Sequence, residues 1–133
     1  MRKIVCALLV MGVLAAASIA MAGGATAPLS TPELKQAIGA KGAATVIFFQ
    51  NPNGGPCKMQ KQILDALQQE RKNNFNIAAV STMKQEDQKA FYDYGIRSLP
   101  SLVLVDKSGK ISRVFPPGIQ NKETLVAALD SLK

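Results

Sequence analysis

Between residues 44 and 67 the hydrophobic period of the chain changes once, and that change restricts the fold more than any other feature. Ala44-Thr45-Val46-Ile47-Phe48-Phe49 is a short apolar run with β-branched and aromatic content, bounded by Gly42 before it and Asn51-Pro52-Asn53-Gly54 after it. A run of this length without alternation reads as a central strand buried on both faces. From Pro56 the spacing becomes helical: Met59, Ile63, Leu64 and Leu67 share one side, while Lys61, Gln62, Gln68 and Gln69 occupy the others, and Asn73-Asn74 ends the pattern. A doubly buried strand that feeds a helix needs material on both faces of its sheet, so the chain belongs to the α/β class.

The remaining segments fill in that class. Ser30 or Thr31 can cap a first helix, with Pro32 in its first turn, Glu33 near the positive end of its dipole and a stop at Gly39. Phe75 to Val80 reads as a second strand, and Gln85 to Tyr92 as a short helix ending near Gly95. Leu99 to Val105 is a strand entered through Pro100; Asp106-Lys107-Ser108-Gly109 is a turn, and Lys110 to Phe115 returns as the hairpin partner. After Pro116-Pro117-Gly118, Leu125, Val126, Leu129 and Leu132 share one face of a final helix from Lys122. Strands separated by helices predict parallel pairing and the hairpin adds antiparallel pairing, so the sheet is expected to be mixed, with helices on both sides.

The amino terminus carries an export pattern. Met1-Arg2-Lys3 is a basic start, Ile4 to Ile19 is largely apolar, and Ala20-Met21-Ala22 fits a signal-peptide cleavage site. Cleavage is expected after Ala22; Ala25-Thr26-Ala27 is a second candidate, disfavoured by the Pro28 that would follow the cut. The alternative is an uncleaved amino-terminal anchor, since Ile4 to Ala22 reaches the lower range of a membrane span. Residues 1–22 are thus read as a signal peptide, 23–30 as a flexible lead-in rich in Gly, Ala and Pro, and 31–133 as one folded domain. The expected location is periplasmic or secreted. Cys6 is apolar filler within the signal, which leaves Cys57 as the sole cysteine of the mature chain and rules out an internal disulfide.

Asn53-Gly54-Gly55-Pro56-Cys57-Lys58 resembles the active-site turn of the thioredoxin family, Trp-Cys-Gly-Pro-Cys-Lys, with Gly54 in the place of the first cysteine. Tyr94-Gly95-Ile96-Arg97-Ser98-Leu99-Pro100-Ser101-Leu102 is similar to that family's cis-proline segment, and Gly118 stands where a glycine usually precedes the last helix. The resemblance implies a thioredoxin-like three-layer α/β/α sandwich with a mixed central sheet in a single domain. It also implies a cis peptide bond before Pro100, beside which the backbone of Leu99 would pair with an extended substrate peptide. Gly54, Gly55 and Pro56 would border the same site. The two glycines are read as permitting dihedrals closed to other residues and as leaving a shallow notch where the family's reactive sulfur sits.

Chemistry at Cys57 is governed by what is missing. Thiol–disulfide exchange starts with an accessible thiolate and needs a second thiol to resolve the mixed disulfide. Position 54 has no thiol, the acidic residue that thioredoxins bury behind the site falls at Phe48, and the chain has no histidine to act as base. Ordinary dithiol reductase activity is therefore not expected. The helix dipole and Lys58 favour a thiolate at Cys57, and burial opposes it. One thiol without histidine cannot build a normal metal site, so no metal and no cofactor is expected.

Once Arg2 and Lys3 are removed, Lys plus Arg falls from 16 to 14, which against 9 acidic residues leaves +5. Those cations are spread without a run, and there is no Trp for base stacking, so nucleic acid is not an expected partner. The expected function is that of an exported protein with a single-cysteine degenerate redox site, a weak monothiol thiol-disulfide protein or redox-linked partner. Its partner would be an extended peptide or a protein thiol, with no membrane contact after signal cleavage. Two alternatives stay open: a non-redox binding module using Leu99-Pro100 and the Gly54-Gly55 notch, and a variant of a two-cysteine disulfide oxidoreductase.

Overall fold

The computed structural model describes residues 24–132; residues 1–22, read above as a signal peptide, lie outside them. The elements are α1 Pro32–Ala37, β1 Thr45–Gln50, α2 Gly55–Glu70, β2 Asn76–Ser81, α3 Gln88–Asp93, β3 Ser101–Val105, β4 Ile111–Val114 and α4 Lys122–Asp130, with short 3₁₀ turns at Ala40–Gly42 and Gln85–Asp87. No helix among the described residues is long and apolar enough to cross a membrane.

The sheet order is β2-β1-β3-β4, with β1 and β2 parallel and the other pairs antiparallel. Parallel pairing of helix-separated strands therefore holds for β1 and β2 and fails for β3, and helix length explains the difference. At about 1.5 Å per residue α2 runs roughly 24 Å, enough to carry the chain back along a six-residue strand, whereas α3 covers only about 9 Å. The chain leaves α3 near the end where β1 and β2 finish, so β3 starts there, opposite Phe49, and runs the other way.

Alternation along β1 and β3 divides the core in two. Val46, Phe48, Leu102 and Leu104 face α2 and α4, packing on Leu64, Leu67, Leu125 and Leu129. Ile47, Phe49, Val103 and Val105 face α1 and α3, packing on Leu34 and Ala90. Both faces of the central strands are covered, which is the expected three-layer α/β/α arrangement. Each fully buried Leu or Phe contributes about 1.5–3 kcal/mol of transfer free energy. Side chains satisfy both ends of α1. Thr31 Oγ1 accepts the Leu34 N–H at 3.1 Å, so Thr31, rather than Ser30, is the cap of α1. The Ala37 carbonyl at the other end accepts from Thr45 Oγ1 at 3.0 Å and from Asn76 Nδ2 at 3.1 Å.

Residues 24–30, read from composition as a flexible lead-in, make specific contacts with the rest of the domain. Thr26 bridges Lys110, the Ile111 N–H donates to the Ala25 carbonyl at 2.8 Å, and the Ala27 N–H donates to the Gly109 carbonyl at 2.9 Å. Farther along, the Tyr94 hydroxyl donates to the Pro28 carbonyl at 2.7 Å and the Ser30 hydroxyl to the Asp93 carboxylate at 2.5 Å. The physical reason is the edge of the sheet: β4 presents backbone groups that need partners, and the lead-in supplies them. Gly24 is needed for this approach, because a Cβ there would fall 1.7 Å from the Ile111 carbonyl oxygen. Composition alone reads such a segment as loose because small residues bury little, yet Ala27 is fully enclosed.

The segment expected as one helix from Gln85 to Tyr92 is a 3₁₀ turn followed by α3. Buried Asp87 sits at the junction, its carboxylate accepting the Ser81 N–H at 2.8 Å, which ties the turn to the end of β2.

Candidate functional site

The turn after β1 and the first turn of α2 place Cys57 inward. Asn51 Oδ1 accepts the Asn53 N–H at 3.0 Å and the Asn51 carbonyl accepts the Gly54 N–H at 2.9 Å, a compact Asx-type turn that aims the chain into the helix. Gly54 is the N-cap of α2 and offers no side chain to it, while Pro56 lies in the first turn, where a missing N–H costs nothing. Cys57 is only 3% exposed. Its sulfur accepts the Asn51 N–H at 3.4 Å and packs within the core cluster that contains Phe48. The buried position behind the thiol is thus apolar, as the sequence implies, and supplies no proton acceptor.

The conformational reading of Gly54 and Gly55 does not hold. Gly54 has φ −77° and ψ 134°, open to any residue, and Gly55 is ordinary first-turn helix outside the left-handed region. A Cβ on Gly54 would lie 3.6 Å from the Cys57 sulfur and 3.8 Å from its Cβ, so the absent side chain would have stood against the thiol.

The Leu99–Pro100 peptide bond is cis. Pro100 is buried, and its carbonyl accepts the Gly118 N–H at 2.9 Å. Leu99 is half-buried and touches both halves of the core, including the cluster that holds Cys57. Neither the N–H nor the carbonyl of Leu99 is hydrogen-bonded to any described residue. These free groups stand at the start of β3, beside the end of β1. An extended strand could pair with them.

Sequence reasoning missed Gln60. It is fully buried in α2, its Oε1 accepts the Gln120 N–H at 2.6 Å, and its Nε2 donates to the Gln120 carbonyl at 3.1 Å. This two-bonded clamp fixes the loop before α4, and the same loop holds Pro100 through Gly118. The signal was present in the spacing: positions 57, 60, 64 and 67 lie on one helical face, but a search restricted to apolar residues passes over a glutamine. Asn51 was missed too, because its contact with sulfur is made by the backbone.

The comparisons with known proteins bear on this geometry. The family model of the thioredoxin-like domain matches residues 32–133. Thioredoxin 1 of Nostoc sp. is 27% identical over 106 residues, spanning 80% of this chain and 95% of that protein. The thioredoxin of Porphyra purpurea is 27% identical over 85 residues, covering 64% of this chain and 76% of its own. Among solved structures, a thioredoxin-like protein from Clostridium perfringens superposes with a TM-score of 0.65 at 22% identity, over 92% of this chain and 91% of that one. Fasciola hepatica thioredoxin superposes with a TM-score of 0.58 at 25% identity, over 70% of this chain and 84% of its own.

Proposed function

We propose, on the premise that the chain belongs to the thioredoxin-like domain family, that it is an exported protein, periplasmic or secreted, that holds an extended polypeptide segment at the Leu99-Pro100 edge without dithiol exchange. The observation that carries this reading is the pairing of an enclosed thiol, the sole one among the described residues, with a Leu99 backbone that no described residue bonds. Main-chain groups left free at a strand end support affinity by strand addition. A sulfur 3% exposed, with no second thiol to resolve a mixed disulfide, does not support turnover. Cys57 then acts as a small apolar core residue. The basic start and apolar run of residues 1–22 support the assignment to export.

One specific observation favours a second reading, the weak monothiol. The Asn51 N–H donates to the sulfur at 3.4 Å, and Gly54 puts no side chain beside it, where a Cβ would lie 3.6 Å away. The two readings separate on alkylation of Cys57 in the folded chain, with the denatured chain as reference. We expect labelling at neutral pH only after denaturation, and amide shifts at Leu99 and Ser101 with an added extended peptide that persist in Cys57→Ala. Rapid labelling of the folded protein, together with loss of peptide binding in Cys57→Ala that keeps its fold, would replace the first reading by the second.

A further inference from the structure

The segments that meet at the site carry charge of one sign. Residues 51–60, 95–101 and 113–121 contain Lys58, Arg97 and Arg113 and no acidic residue. All three cations are exposed, and among the described residues none of them forms an ion pair. Arg113 lies over the Phe115 ring at 4.7 Å, which holds its guanidinium on the hairpin that leads into the 116–121 loop. Four other cations are paired, Lys61 with Asp65, Lys89 with Asp93, Lys122 with Glu70 and Arg71 with Asp130, so what distinguishes the site segments is that they hold cations and no carboxylate at all. Apolar surface accompanies the cations. Met59 is 55% exposed and Ile119 39% exposed, and they are the chain neighbours of the two glutamines that clamp α2 to the loop.

We propose that the segment added at Leu99 is acidic: an extended polypeptide with an apolar centre covering Met59 and Ile119 and carboxylates on its flanks reaching Lys58, Arg97 and Arg113. This rests on the strand-addition reading above and names its partner class. The physical argument is complementarity. A rim of one sign with no counter-charge attracts carboxylates, repels basic segments and so acts on partner choice more than on total affinity. Single-stranded nucleic acid fits less well, because the only aromatic ring in these segments, Phe115, is buried and offers no stacking face.

The test uses the full chain and fluorescently labelled extended peptides that share one apolar centre and differ in flanks: Asp/Glu, Ser/Gln or Lys/Arg. Binding is followed by anisotropy at low and at physiological salt, beside a single-stranded oligonucleotide. The acidic peptide is expected to bind roughly three- to thirtyfold more tightly than the neutral one at low salt, with the difference shrinking as salt is added. A Lys58→Glu/Arg97→Glu variant, altered only at exposed positions and checked by far-UV circular dichroism, should turn the preference toward the basic peptide. Equal affinity for the three peptides, a basic preference in the unaltered chain, or an oligonucleotide that binds as well as the acidic peptide would overturn the acidic partner and leave strand addition standing. Binding of no peptide, with the Leu99 amide unmoved, would overturn both.

Discussion

Position 54 lacks a side chain beside the Cys57 thiol. The backbone there is ordinary, and a Cβ would lie 3.8 Å from that of Cys57, close to the mean separation across a disulfide of about 3.8 Å. The obstacle is the Asn51 carbonyl, 3.3 Å from the same point, which would yield by a few tenths of an ångström. Gly54→Cys is therefore expected to oxidise to an internal disulfide, read as loss of both thiols to alkylation until a reductant is added; two free thiols after oxidant would contradict the geometry. Tyr94 provides a residue-scale pH dependence. Burial first, and Asp93 beside it second, push its hydroxyl up to about 12 from an ordinary 10.0. The unfolded chain thus ionises first, the folded state binds more protons between those values, and the stability present below pH 10 falls as pH rises toward 12. Tyr94→Phe should flatten the alkaline limb of a pH series of urea midpoints, and an unchanged limb would assign it to other groups.

Elements are joined here by single polar devices. The lead-in covers the β4 edge only because Gly24 lies against Ile111, so Gly24→Ala should detach residues 24–27, with hydrogen exchange at the Ile111 and Ala27 amides rising together. At about 0.5–1.5 kcal/mol for each of the two bonds lost, urea unfolding should register a loss of roughly 1–3 kcal/mol; protection unchanged at both amides would mean the edge is held by something else. The clamp from α2 works in the same way. Gln60→Leu keeps the helix face apolar but removes two hydrogen bonds to the part-buried Gln120 backbone, which at about 0.5–1.5 kcal/mol each costs about 1–3 kcal/mol. Its more specific signature is faster exchange at the Gln120 and Gly118 amides, and an effect confined to global stability would show that the loop does not depend on the clamp.

The two halves of the core share β1 and β3, so neither layer can come away without exposing the other face of the same strands. One unfolding transition is expected, with tyrosine fluorescence, which senses the α3 layer through Tyr94, and far-UV circular dichroism giving the same urea midpoint. Leu64→Ala on one side and Leu34→Ala on the other should each lower it by about 2–5 kcal/mol; separate transitions would mean the layers are independent. Much of this architecture was legible in the chain. The element order follows from the change of period after Phe49, from turn chemistry at Asp106 to Gly109, and from Ser30 or Thr31 as a cap, all of which act over a few residues. The glycine at 54 and the apolar Phe48 were legible too, within a turn and strand that the sequence already marked. What short-range patterns cannot carry is which distant groups meet. The antiparallel placement of β3, the docking of residues 24–27 on the hairpin edge, the grip of Gln60 on Gln120 sixty residues away and the enclosure of Cys57 were decided only by the tertiary structure, because each depends on helix length, a free sheet edge or a buried hydrogen bond that exists only once the layers have packed.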